Sequence, residues 1–96
     1  MSYKNLEIYQ LAHSLGVDTH GLSLQFQKFE LYETGSRLRR ACKSISANIV
    51  EGYGRKRYPA EHVRFLIFAL ASCDETMDWL QYTKDATLNS NPKHKN

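Results

Sequence analysis

The sequence predicts an all-α fold, an up-down antiparallel helical bundle built from long helices. Three observations support it. Apolar residues recur at steps of three and four in three separate segments. No segment alternates apolar and polar residues as a half-buried strand does. Glycine and proline fall between the segments, so the connections are short.

The first helix is expected over about 4–27. Ile8, Leu11, Leu15, Leu22 and Phe26 step by 3, 4, 7 and 4, which is one helical stripe. Asn5 is the expected N-cap, with Glu7 in the first turn. Gly16 and Gly21 each weaken the helix by roughly 1 kcal/mol relative to Ala.

The second helix is expected over about 30–54. Leu38, Cys42, Ile45 and Ile49 step by 4, 3 and 4. Gly35 sits in the first turns or marks a kink. Gly52 and Gly54 close the stripe and are assigned to the turn.

The third helix is expected over about 59–84. Pro59 has the fixed φ of a first helical position, and Glu61 suits the positive end of the helix dipole. Val63, Leu66, Leu70, Cys73, Met77 and Leu80 form a near-heptad stripe. Phe65, Ile67, Phe68 and Trp79 lie off it, so this helix needs more than one neighbour. Connections are expected near 27–31 and 54–58. Residues 1–85 then form the bundle domain, and 86–96 a flexible polar tail that breaks at Pro92.

With 96 residues the chain is one domain, and 42% apolar with 24% charged residues is the composition of a folded, soluble protein. The longest apolar run, Phe65 to Ala71, is far short of the roughly 18 residues a membrane span needs. No apolar signal core opens the chain, so a cytoplasmic location is expected. Cys42 and Cys73 lack metal spacing and are expected to pack as small hydrophobes.

A net charge of +3 conceals a segregation. From Arg37 to Arg64 stand eight positive residues (Arg37, Arg39, Arg40, Lys43, Arg55, Lys56, Arg57, Arg64) against Glu51 and Glu61, a local +6. The remainder has five lysines against eight acids, a local −3. A basic middle in an acidic remainder suits an anionic partner.

Phe29-Glu-Leu-Tyr-Glu-Thr-Gly-Ser-Arg-Leu-Arg-Arg, Ser46-Ala-Asn-Ile-Val-Glu-Gly-Tyr-Gly-Arg, Arg64-Phe-Leu and Ala71-Ser-Cys-Asp-Glu-Thr carry a resemblance. So does the opening Tyr3-Lys-Asn-Leu-Glu-Ile-Tyr-Gln. Over roughly residues 3–82 the chain resembles the four-helix-bundle family of 23S rRNA intervening-sequence proteins. That family is related to the accessory variability determinant of diversity-generating retroelements. The resemblance implies a long up-down bundle and a homo-oligomer, a pentameric ring. It also implies contact with RNA or DNA, and a reverse transcriptase as partner where one is encoded nearby. Members usually continue into a fourth amphipathic helix, whereas here the sequence turns polar after Asp85. A fourth helix that is missing or truncated would leave a stripe on helices 1 and 3 exposed, which favours association.

The basic group is read as a phosphate-contacting belt of Arg37, Arg39, Arg40, Lys43, Arg55, Lys56 and Arg57. Forked guanidinium donors suit phosphate oxygens. The alternative is helix capping with salt bridges to Glu30, Glu33 or a neighbouring subunit, in an assembly or adaptor protein with no nucleic-acid role. Asn48, Glu51 and Arg64 are read as a buried polar network near the second turn, in preference to a catalytic carboxylate with an orienting amide. Tyr53 and Tyr58 flank the basic cluster and either stack on bases or pack at the bundle end. His13 and His20 share a helical face and His62 opens the third helix, but no third metal ligand is evident. No nucleophile–base pair stands out, so neither catalysis, a cofactor nor a metal is expected.

Overall fold

The structure, a computed structural model, describes residues 2–26 and 32–90. Among them are a 3-10 turn, Tyr3–Asn5, and three α-helices: α1 (Glu7–Ser23), α2 (Thr34–Gly54) and α3 (Pro59–Ser90). No strand occurs among the described residues. The protein is a rod of 57 × 21 × 20 Å. At about 1.5 Å per residue, the 32 residues of α3 set most of that length. Among the described residues no helix is long and apolar enough to cross a membrane.

Both helix pairs run antiparallel, as the register of their contacts shows. Along α2–α3, Gly52 meets Phe65, Ser44 meets Ser72, and Arg37 meets Trp79. Along α1–α2, Ser23 meets Arg39, and Ala12 joins Ile45 and Ile49 in the core. α2 is therefore the central helix, with α1 and α3 on its two flanks.

Several boundaries differ from those the sequence predicts. Asn5 is not the N-cap of α1; it ends the 3-10 turn, which Ser2 caps through its hydroxyl, 3.2 Å from the Lys4 amide. Leu6 holds the N-cap position without a side-chain bond. α1 stops at Ser23, whose hydroxyl donates back to the His20 carbonyl at 2.8 Å. The expected 27–31 connection lies outside the described residues. α3 begins at Pro59 as predicted, and the His62 amide donates to the Tyr58 carbonyl at 2.9 Å. It then continues to Ser90, beyond the expected 84, because Ala86 to Ser90 contains neither glycine nor proline. The rest of the expected tail, 91–96, is outside the described residues.

The stripe of α2 is buried as predicted: Leu38, Cys42, Ile45 and Ile49 all lie in the core. The stripes of α1 and α3 are not. Leu11 is 66% exposed and Leu70 63%, and Ile8, Val63 and Met77 are exposed as well. The faces that touch α2 carry smaller side chains instead. On α1 they are Ala12, Thr19 and Ser23; on α3 they are Ala69, Ser72 and Thr76. At about 100° per residue, the large aliphatic stripes lie some 60–100° round from those seams. They line an open groove of about 360 Å³ between α1 and α3, floored by Ile45 and Ile49. Small side chains let the helices approach α2 closely. The large ones face the side on which no described helix lies.

Gly52 belongs to this packing rather than to the turn. It is buried inside α2, and a Cβ built there would stand 3.3 Å from the Phe65 Cβ. Its carbonyl lies 2.8 Å from His62 Nδ1. A carbonyl only accepts, so Nδ1 carries the proton.

Candidate nucleic-acid interface

α2 places the basic residues by its own winding. Arg37, Arg40 and Lys43 step by three, and each step falls about 60° short of a full turn. They therefore sweep across the outer face, from the α3 side to the α1 side. Arg39 points to the α1 seam, where its guanidinium donates to the Ser23 hydroxyl at 2.9 Å. Arg37 lies over the Trp79 ring, 5.7 Å from the centroid. Arg40 joins Arg37, Ser44 and Glu75 around a shallow hollow of about 240 Å³.

The second basic group sits at the other end of the helix. Arg55 is the C-cap residue of α2, and Lys56 and Arg57 form the turn into α3. Arg55 pairs loosely with Glu51 at 3.7 Å and lies 4.9 Å from the Phe65 centroid. The Lys56 ammonium donates to the Tyr53 hydroxyl at 3.1 Å and sits above that ring. Tyr53 is thereby occupied on its own turn, while Tyr58 is exposed.

The seven predicted residues thus form two groups rather than one continuous belt. About 17 Å of helix separates Lys43 from the end of α2. Between them the outer face carries Ala47, Glu51 and Gly54. Three of the seven are exposed, and their side chains make no ion pair, hydrogen bond or ring contact among the described residues: Arg40, Lys43 and Arg57. No carboxylate among the described residues pairs with them.

The predicted network of Asn48, Glu51 and Arg64 does not form. Glu51 is exposed and pairs with Arg55 one turn on. Arg64 pairs with Glu61, 2.8 Å away on its own helix, and not with Glu51. At i, i+3 the Glu61 carboxylate is the nearer acid. Only Asn48 enters a network, and a different one. Its amide donates to the Ser44 carbonyl and hydroxyl at 2.8 and 2.9 Å. The Ser72 hydroxyl donates to Ser44 at 2.8 Å, and Thr76 donates to the Ser72 carbonyl at 2.7 Å. Small hydroxyl residues inside an apolar helix were the signal for it.

Among the described residues no group of three or more His, Cys, Asp or Glu is placed to hold a metal. His13 and His20 share the outer face of α1, and His62 is engaged at Gly52. Cys42 is buried and Cys73 half-buried, both as free thiols.

Neither the curated proteins nor the solved structures contain a match to this chain. The family model described as 23S rRNA-intervening sequence protein matches residues 4–96.

Proposed function

The chain belongs to the 23S rRNA-intervening sequence protein family, and on that premise we propose that it is a non-catalytic, self-associating helical bundle that contacts RNA or DNA phosphates. The contact is electrostatic and reads no sequence. Arg40 and Lys43 form one anchor and Arg57, with Arg55 and Lys56, the other.

The observation that carries this reading is the exposure of Arg40, Lys43 and Arg57 with no partner among the described residues. An arginine committed to an internal carboxylate, as Arg64 is to Glu61, has less to offer a phosphate. Self-association rests on the apolar groove, which a second copy of the chain closes. Monomeric proteins rarely expose a contiguous patch beyond a few hundred Å². Assembly also multiplies the basic anchors, and counterion release then strengthens binding.

The test is binding of a random-sequence RNA as a function of salt. Replacing Arg40, Lys43 and Arg57 together by alanine should weaken binding to every sequence. The slope of log K against log salt should fall by about 2 to 3, since each lost phosphate contact contributes roughly 0.7–0.9. Arg64→Ala should change neither quantity. If the wild-type chain binds no RNA or DNA at about 0.15 M salt, and high salt dissociates its assembly, the charges serve subunit contacts instead. Exposed Asp74, Glu75 and Asp78 on α3 are the carboxylates such contacts would use.

A further inference from the structure

The face of α1 opposite the apolar groove carries a second hollow, of about 330 Å³, lined by His13, Gly16, Val17, His20, Lys43 and Ser46. Building on the phosphate reading above, the geometry points to this hollow as a pocket for one unstacked nucleobase. The preferred ligand is then single-stranded nucleic acid.

The argument starts from the residue at its centre. Gly16 adds no side chain, and a Cβ there would meet nothing within 4 Å. In the middle of a helix glycine costs about 1 kcal/mol relative to alanine, and nothing in the packing requires it. Its effect is to leave floor space between two imidazoles one on each side along the helix. His20 Nδ1 is buried without a hydrogen-bond partner. The His20 imidazole lines the hollow together with that of His13. Val17 contributes apolar surface. Such a mixture suits a flat aromatic ring with polar edges.

Two further features extend the site. His13 stacks on Tyr9 at 5.8 Å and 27°, and Tyr3 meets Tyr9 edge-on at 5.0 Å. A base in the hollow continues this ladder of rings. Lys43, on the rim, has no partner among the described residues and lies beside Arg40 on the outer face of α2. It meets the phosphate next to the inserted base. A paired base cannot enter, because its faces and edges are occupied in the duplex. Single strands offer both, and base–aromatic stacking is tolerant of sequence.

The experiment compares a single-stranded RNA of about 12 nucleotides, within the range one small fold covers, with the duplex of the same sequence. A Cβ at Gly16 has open space around it, so Gly16→Leu should fill the hollow without lowering the melting temperature. It should weaken single-strand binding about tenfold, within the range for one lost base stack, and leave duplex binding unchanged. A strand carrying 2-aminopurine should change its fluorescence on binding the wild type and not on binding Gly16→Leu. Unchanged single-strand affinity in Gly16→Leu, or an unchanged fluorescence response, overturns the pocket while the phosphate anchors stand. Binding of neither strand nor duplex by the wild type overturns the phosphate reading, and the pocket with it.

Discussion

The Ser72 hydroxyl of α3 donates a 2.8 Å hydrogen bond to the Ser44 hydroxyl of α2. It joins two helices at a seam where the small Ala69 of α3 clusters with Ile45 and Ile49 of α2. Ser44 accepts in turn from Asn48, so one hydroxyl holds a donor from each helix. A seam of this kind fixes the register of α3 on α2 by direction as well as by volume.

Removing both partners should therefore cost less than the two single removals added together. Ser44→Ala strands the Ser72 hydroxyl and one Asn48 contact, and should destabilise by about 1 kcal/mol. Ser72→Ala should cost a similar amount. The double variant should fall short of the sum by about 0.5–1 kcal/mol in a urea-denaturation cycle. Strict additivity would mean that the bond contributes nothing.

Gly52 tests the close approach of α2 and α3. A methyl group there meets the Phe65 Cβ at 3.3 Å and the His62 carbonyl at 3.5 Å. Both are held by the backbone of α3 and yield little. Against this, alanine gains about 1 kcal/mol of helix propensity. Gly52→Ala should therefore be nearly neutral, within about 1 kcal/mol. Gly52→Val has no such compensation and should cost about 2–3 kcal/mol, as overpacked cores do. Equal stability of the alanine and valine variants, measured by denaturant midpoint, would refute this account of the glycine.

Two leucines with equal standing in the sequence pattern should behave oppositely. Leu38 is fully buried, and Leu38→Ala should cost about 2–5 kcal/mol. Leu11 is 66% exposed, and Leu11→Ala should stay within about 0.5 kcal/mol. The comparison is made at concentrations where the chain sediments as a monomer. A large loss for Leu11→Ala under those conditions would place its side chain in the core.

These leucines also show what the sequence made legible. The periodicity of Leu38, Cys42, Ile45 and Ile49 gave both the helix and its buried face. In α1 and α3 the same signal gave the helices and misplaced the seam. A stripe records where apolar area is concentrated, not which neighbour covers it. Ala12, Ser23, Ser72 and Thr76 make the actual contacts, and small or hydroxyl residues leave no periodic apolar trace. The family likeness had pointed to an exposed stripe on helices 1 and 3, and that is where the groove lies. For the candidate interface, residue types were readable but pairings were not. Arg64 could reach Glu51 or Glu61 by spacing alone, and only the fold shows that it takes Glu61. The hollow at Gly16 needs residues from two helices, so no local pattern announces it.

The groove supplies the last prediction. Leu70 lines one wall and is 63% exposed, while Leu11 and Leu15 line the other. A carboxylate on either wall costs little in the isolated chain, where it reaches water. In an assembly closed through the groove it would be desolvated without a partner, which costs several kcal/mol. Leu70→Glu should therefore leave the helix content unchanged and shift sedimentation toward the monomer, raising the dissociation constant by about a hundredfold or more (a change of about 2.7 kcal/mol). Arg57→Ala, at the far turn, should leave assembly as it is while weakening nucleic-acid binding. An assembly insensitive to Leu70→Glu would mean that the chains meet through another surface, and that the groove is closed by something other than a second copy.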